Sequence, residues 1–353
     1  MATFEVFKLQ PRGAFHFGTP GVGIEATIER CPSDTLYGAM LLEAGQAGMP
    51  FPTPAPDGTL AEPRFRLSSC FPYAGDTLLF PTPRLAPTQR AEPQPGQRKR
   101  TKNIRYVSPT ILRDLLTGAS LLDWTPDEHG QGRGRLYQDG AVLIAGEETP
   151  QFERRNGVRD DTRLWSVDRV DHVTVDRLSQ ASAYYAVGQV RFAGGCGLYV
   201  LAQVRDGAVG DQLFDLLTRL GHTGLGGRRS HGLGQFDVQR TGTITLPDGD
   251  GSERVMLLSR YLPAPGELEK GVLSAGAAYD LQRVGGWLQS PAAPSRLRKT
   301  IHLLAEGSVV RCIDGRSPQG RVVDVRPDGD LVPHPVWRYG LALTAGVSLQ
   351  EEV

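Results

Sequence analysis

The sequence predicts an α+β protein built from two sheet-and-helix units in one chain. Apolar residues recur with the two-residue period of strands in some segments and with the helical period in others. The 353 residues are enough to bury two moderate cores. A stretch of linker composition, PDGDGSE at 247–253, falls between the two sets of elements. Hydrophobic residues at 39% and charged residues at 22% place the chain among folded proteins, away from the disordered range.

FEVFKLQ at 4–10 alternates like a half-buried strand. A loop containing Gly13, Gly18, Gly21 and Gly23 follows, and Ser33 and Asp34 then offer an N-cap to TLYGAMLLEAG, where Leu36, Met40 and Leu42 fall at helical spacing. From 49 to 96 proline is so dense that the expectation is an irregular, surface-hugging region without central strands. SPTILRDLLTG reads as a helix opened by Ser108 and Pro109 and closed by Gly118. Residues 126–162 are polar and glycine-rich, which predicts a projecting hairpin or insertion. AYYAVGQVRF and GLYVLAQV flank the turn AGGCG and read as a hairpin. DQLFDLLTRLG is an amphipathic helix closed by Gly221, and a glycine-rich loop then leads into the strand QFDVQRTGTITL.

This order, β, α, long insertion, β, β, α, β, is the split β-α-β pattern of ferredoxin-like (RRM-like, βαββαβ) domains. The first unit is expected to span 1–245 with an insertion of about 49–170. Beyond the linker, 252–353 offers the strand VMLLSRYL, a helix ELEKGVLSAGAAY and the strands DLQRVGGWLQ, KTIHLLAEGSVVRC and YGLALTAGV. That set reads as a second, degenerate ferredoxin-like unit, inferred from element order alone.

No run approaches the ~20 apolar residues that span a bilayer, and the amino terminus lacks a signal-peptide pattern, so the expectation is a cytoplasmic protein. Cys31, Cys70, Cys196 and Cys312 stand singly, which predicts reduced thiols rather than a metal site or disulfide framework. A formal net charge of zero argues against indiscriminate coating of nucleic acid. Charge is locally uneven: Arg84, Arg90, Arg98, Lys99, Arg100, Lys102 and Arg105 face one acid, Glu92. That cluster is a candidate anion contact.

The segment most suited to chemistry is GHTGLGGRRSHGLG at 221–234. Glycine lets backbone amides turn toward a ligand at close range, and Arg228 and Arg229 can meet phosphates bidentately. It is no Walker loop, because Gly226 and Gly227 stand where Gly-Lys would be required and the helix precedes the loop instead of following it. The dinucleotide fingerprint fails for the same reason. His16, between Phe15 and Phe17 in the glycine-containing loop, lacks a neighbouring base or lysine, which predicts a structural or stacking role rather than a catalytic one. Asp160, Asp161, Asp168 and His172 fall in a polar stretch and predict no metal site. Ser230 and His231 are adjacent on what reads as an extended segment, where their side chains would point apart and form no dyad. No catalytic residue, metal or cofactor is predicted.

GLGGRRSHGLGQF between helix and strand resembles the carboxy-terminal glycine-rich loop of the RAMP superfamily. Further resemblances, in order, are FHFGTPG with PSDTLYGAML, RKRTKNIRYVSPTILRDLLTG, HVTVDRLSQASAYY, YDLQRVGGWLQ, LLAEGSVVRC and HPVWRYGLAL. Together they are similar to the Cas5-like fourth subunit of the type III-A CRISPR (Csm) effector complex, over nearly the whole chain. The proline-rich stretch at 49–96 is longer than the family pattern. The resemblance implies a non-catalytic subunit in antiviral defence that binds the 5' handle of the crRNA. It also implies docking to the large polymerase-like subunit and to a backbone RAMP subunit, with target RNA met only indirectly. The residues implied in RNA binding are His16, Gly224, Gly226, Gly227, Arg228, Arg229, Ser230, His231, Gly232 and Gly234, with Arg98, Lys99, Arg100 and Lys102 as a second contact. Two alternatives stand beside it: a metal-independent RAMP endoribonuclease that processes precursor crRNA, and the equivalent subunit of a type III-B complex. GLYVLAQV and the tail are further expected to carry apolar surface facing partners.

Overall fold

A computed structural model of the chain describes residues 1–19, 21–52, 54, 63–85, 101–127, 130–149, 162–288, 290, 292–293, 295–329 and 332–348. The first half runs through strand β1 (Ala2–Pro11), helix α1 (Ser33–Ala47), and strands β2 (Phe65–Leu67), β3 (Phe71–Ala74), β4 (Thr77–Leu78) and β5 (Phe80–Pro81). Next come β6 (Tyr106–Val107), α2 (Pro109–Leu116), β7 (Gly134–Tyr137), β8 (Val142–Ala145), β9 (Trp165–Val175), β10 (Ser182–Phe192), β11 (Cys196–Val204), α3 (Gly207–Thr223) and β12 (Phe236–Leu246). The second half holds β13 (Arg254–Leu257), the one-turn helix α4 (Pro265–Glu269), β14 (Leu281–Val284), β15 (Ile301–Leu304), β16 (Val309–Arg311), β17 (Val323–Asp324), β18 (Trp337–Arg338) and β19 (Thr344–Val347). The architecture is mixed α+β.

The central sheet has the order β12-β1-β11-β3-β4, with β2 also paired to β11, and its pairings are antiparallel. The alternation in β1 points Phe7 and Leu9 toward α1 and α3, where they join Leu36, Met40, Leu213, Leu217 and Leu220. Phe4 and Val6 point the other way, into a second core with Ile111, Leu112, Leu143, Ile144, Met256 and Leu258. The strand expected to be half-buried is therefore covered on both faces. Helices α1 and α3 lie on one side, and α2, the inserted sheet and part of the second half lie on the other.

Four expectations about the elements change. Residues 65–74, assigned to an irregular insertion, contribute β2 and β3 to the central sheet, Pro72 included, opposite Leu198. AYYAVGQVRF and GLYVLAQV do not pair. β10 pairs with β9 through an eleven-residue register, while β11 enters the central sheet between β1 and β3. The reason lies in burial, since Cys196–Ala202 is buried on both faces and requires neighbours on both edges. Thus GLYVLA is central core, with only Gln203 exposed and Val204 half-buried at the strand's end, where apolar partner-facing surface was expected. Of the polar stretch 126–162, β7 and β8 sit in a four-stranded sheet, β5-β6-β8-β7, and every residue of Val142–Ala145 is buried. The helix expected over ELEKGVLSAGAAY is confined to Pro265–Glu269, because Gly271 takes a left-handed φ of 80° that ends it.

Ser33 and Asp34 also serve differently from the expected caps. Pro32 occupies the N-cap position, and both residues are buried in the first turn of α1. Ser33 Oγ accepts from the Arg260 amide at 3.0 Å, while Asp34 receives Arg260 at 3.0 Å and Arg338 at 2.6 Å. Burial alone would raise the Asp34 pKa, but the two guanidiniums outweigh it and hold the carboxyl below its usual value. Tyr339 stacks on Tyr37 with centroids 4.9 Å apart, on the same seam. The two halves are locked by a buried charge cluster and a shared core. Cys31, Cys70 and Cys196 are buried free thiols, and Cys312 is a half-buried one.

Candidate functional site

Helix α3 does not stop at Gly221. A Cβ there would collide with the Phe236 carbonyl, so glycine lets the helix pass close over β12 and continue to Thr223. The chain leaves through Gly224 at φ 90° and returns to β12 through Gly234 at φ 86°. Leu225 and Leu233 are buried and staple both arms of the loop. Between them, Arg228 takes a left-handed φ of 59° and Arg229–His231 forms a short 3-10 turn.

The loop rests on residues 14–17. The Gly227 amide donates to the His16 carbonyl at 2.9 Å, and the Gly234 amide donates to the Ala14 carbonyl at 2.8 Å. On the other side of the same segment, Phe15 and Val190 exchange two backbone hydrogen bonds of 2.9 and 2.8 Å. Segment 14–17 is thus sandwiched between the glycine loop and β10. A Cβ at Gly226 would meet the His16 carbonyl at 2.5 Å, and one at Gly227 would meet His16 Cδ2 at 2.7 Å. Several glycines therefore serve close packing, where the sequence suggested an open cradle of amides. The amides of Gly224, Leu225, Gly227, His231, Gly232 and Gly234 all donate inward. Those of Gly226, Arg228 and Ser230 donate to no protein acceptor among the described residues.

The outward surface is the stretch 228–232. Arg228 and Arg229 are half-exposed, and Ser230, His231 and Gly232 are exposed, whereas Gly224 and Gly234 are buried and shape the loop from beneath. Ser230 Oγ and His231 Nδ1 lie 3.2 Å apart. This corrects the expectation that they point apart, because the 3-10 turn curls the backbone that the sequence reading took as extended. The Arg228 guanidinium sits over the Tyr185 ring at 5.4 Å, and Tyr185 stacks on His172 at 5.3 Å, which ties the loop to the β9–β10 hairpin. The sequence reading missed Tyr185 as a site residue; the only signal was an aromatic on the alternating strand AYYAVGQV. Beyond this contact the hairpin runs outward with Val173, Val175, Leu178 and Tyr184 exposed.

His16 is only 6% exposed. Its Nδ1 lies 2.8 Å from the Gly188 carbonyl of β10. The described members of the basic cluster, Arg84, Lys102 and Arg105, make no hydrogen bond or ion pair to the loop. Arg98, Lys99 and Arg100 lie outside the described residues. Lys102 is exposed, and no hydrogen bond or ion pair among the described residues joins it to the loop. Arg84 pairs with Asp280 at 3.3 Å and Arg105 with the buried Glu29 at 2.9 Å, so both are already engaged. Among the described residues no group of three or more His, Cys, Asp or Glu could hold a metal ion, and no helix is long and apolar enough to cross a membrane.

Residues 250–347 match the family model of the CRISPR Csm4 C-terminal domain. A Mycobacterium tuberculosis protein named CRISPR system Cms protein Csm4 is 29% identical over 333 residues, 93% of each chain. A Thermococcus onnurineus protein of the same name is 28% identical over 290 residues, 81% of each chain. Among solved structures, the chain is similar to one from a crystal structure of a Csm3-Csm4 subcomplex in the type III-A CRISPR-Cas interference complex. The TM-score is 0.61 and the identity 18%, with 97% of this chain and 99% of that chain covered. A chain from a Csm1-Csm4 cassette in complex with pppApA follows at a TM-score of 0.53 and 21% identity, with 99% and 100% covered. At these identities the structural matches speak for the fold.

Proposed function

We propose that this chain, which belongs to the Csm4 family, is a non-catalytic RNA-binding subunit of a type III-A CRISPR effector complex. It grips the 5' handle of the crRNA and links the large polymerase-like subunit to the backbone RAMP subunits, in the cytoplasm. The observation that carries this reading is the loop's outward face: two arginines, Ser230, His231 and the amides of Gly226, Arg228 and Ser230, held on a rigid base. Such a surface suits the phosphates of a single strand, and the stacked Tyr185 and His172 beside it add a platform of the kind that meets splayed bases.

The central sheet supports a ferredoxin-like assignment for the first half. Taking β1, β3, β11 and β12 as first to fourth strands, the order across the sheet is fourth, first, third, second, with α1 and α3 packed on one face. The assembly partners are inferred from the names of the solved relatives, which pair such chains with Csm1 and with Csm3 subunits. The absence of catalysis is inferred from His16, whose Nδ1 is committed to a carbonyl and which pairs with no carboxylate or lysine among the described residues.

Incubating the full-length chain, assembled with its partner subunits, with labelled repeat-derived RNA in the absence of metal tests the reading. Retention of intact RNA is expected. Cleavage that disappears in His16→Ala would replace it with the endoribonuclease reading.

A further inference from the structure

We infer that His16 Nε2 is a hydrogen-bond acceptor for a ribose 2'-hydroxyl of the strand lying on the glycine loop, so that this side chain distinguishes RNA from DNA. The inference rests on the proposed RNA-binding role and deepens it.

The tautomer is set by geometry. A carbonyl oxygen can only accept, so the 2.8 Å approach of Nδ1 to the Gly188 carbonyl requires the proton on Nδ1. In the neutral ring, Nε2 is then a bare lone pair. That nitrogen has no partner among the described residues, and although the residue is largely buried, Nε2 is not sealed from the surface as an unpartnered buried polar atom would be. Solvent therefore reaches it.

Glycines frame the opening. A Cβ at Gly18 would stand 3.4 Å from Nε2, and one at Gly227 would stand 3.6 Å from Nε2 and 2.7 Å from Cδ2. Bare backbone on two sides leaves room for a ligand atom beside the residue that precedes Arg228. The ring itself cannot swing away, because its carbonyl receives Gly227 and its Nδ1 is held by β10. The charged and polar groups around it sort by role. Arginines and free amides of the loop are donors and suit phosphate oxygens, whereas Nε2 is an acceptor and repels them. Among the groups of a sugar–phosphate backbone, only the ribose 2'-hydroxyl can donate.

The test uses complexes reconstituted from the full-length chain, its partner subunits and synthetic guide RNAs carrying a single 2'-deoxy substitution at each handle position in turn. His16→Asn is the informative variant, because its amide N–H can take the place of Nδ1 toward Gly188 while no atom stands where Nε2 stood. One position is expected to lose roughly fivefold in affinity on 2'-deoxy substitution, the weight of a single net hydrogen bond. In His16→Asn that penalty should vanish, while a 2'-amino group at the position, which restores a donor, should recover binding in wild type only. A penalty of the same size in wild type and variant, or no sensitive position in an RNA whose binding depends on Arg228 and Arg229, overturns the inference alone. Unmodified RNA that binds independently of Arg228 and Arg229 overturns the RNA-binding reading with it.

Discussion

Replacing Asp34 by alanine would strand the guanidiniums of Arg260 and Arg338, both buried, without their shared counter-charge. Breaking a buried pair in this way costs about 3–5 kcal/mol, because an uncompensated charge is left in a poorly polar site. Urea unfolding of Asp34→Ala should show a loss of that size, with Asp34→Asn also strongly destabilised. The same carboxyl gives a pH dependence with a definite sign. Its folded pKa lies below the unfolded value of about 3.9, so its stabilisation is fully present above that value and is lost as pH falls through the folded pKa. Wild type should therefore lose stability on acidification below roughly pH 4 more steeply than Asp34→Asn. This residue shows what a linear reading misses. Ser-Asp ahead of an apolar helical pattern has the signature of a cap, and only the approach of residues 226 and 304 positions later in sequence turns it into an anchor.

Among elements, the glycine loop was legible in position and composition, and its exposed apex agrees with the expectation of a presented surface. What could not be read was the division of labour among its glycines. Gly234 has φ 86° and a hypothetical Cβ in collision with the Leu225 carbonyl, whereas Gly232 has φ 79° and open space around it. Gly232→Ala should cost about 1–2 kcal/mol of backbone strain, measurable by urea unfolding. Gly234→Ala should cost more and open residues 224–234 to limited proteolysis; equal behaviour of the two variants would contradict the packing described. Strand pairing was the least legible feature. AYYAVGQVRF and GLYVLAQV both alternate and are separated by a turn, so adjacency suggested a hairpin, yet β11, buried from Cys196 to Ala202, is claimed by the central sheet. Proline density likewise hid β2 and β3, since Pro72 is tolerated within β3 opposite Leu198, its carbonyl accepting from the Leu79 amide at 3.0 Å.

For the molecule as a whole, the sequence at 247–253 has the composition of a linker between two units, and across it Met256 and Leu258 lie in the same core as Phe4 and Val6, and Tyr339 in that of Phe7. Differential scanning calorimetry should accordingly record one cooperative transition, and two resolved transitions would contradict the shared core. With zero net charge, the proposed affinity for RNA would have to come from a local surface rather than from the overall field. The central claim is therefore tested most directly by measuring guide-RNA affinity of the reconstituted complex across a salt series, for wild type and for the double variant Arg228→Ala, Arg229→Ala. With both phosphate contacts removed, binding should weaken and the logarithmic salt slope should flatten by about 0.7 for each lost contact. An affinity and slope matching wild type would show that the loop does not hold the strand.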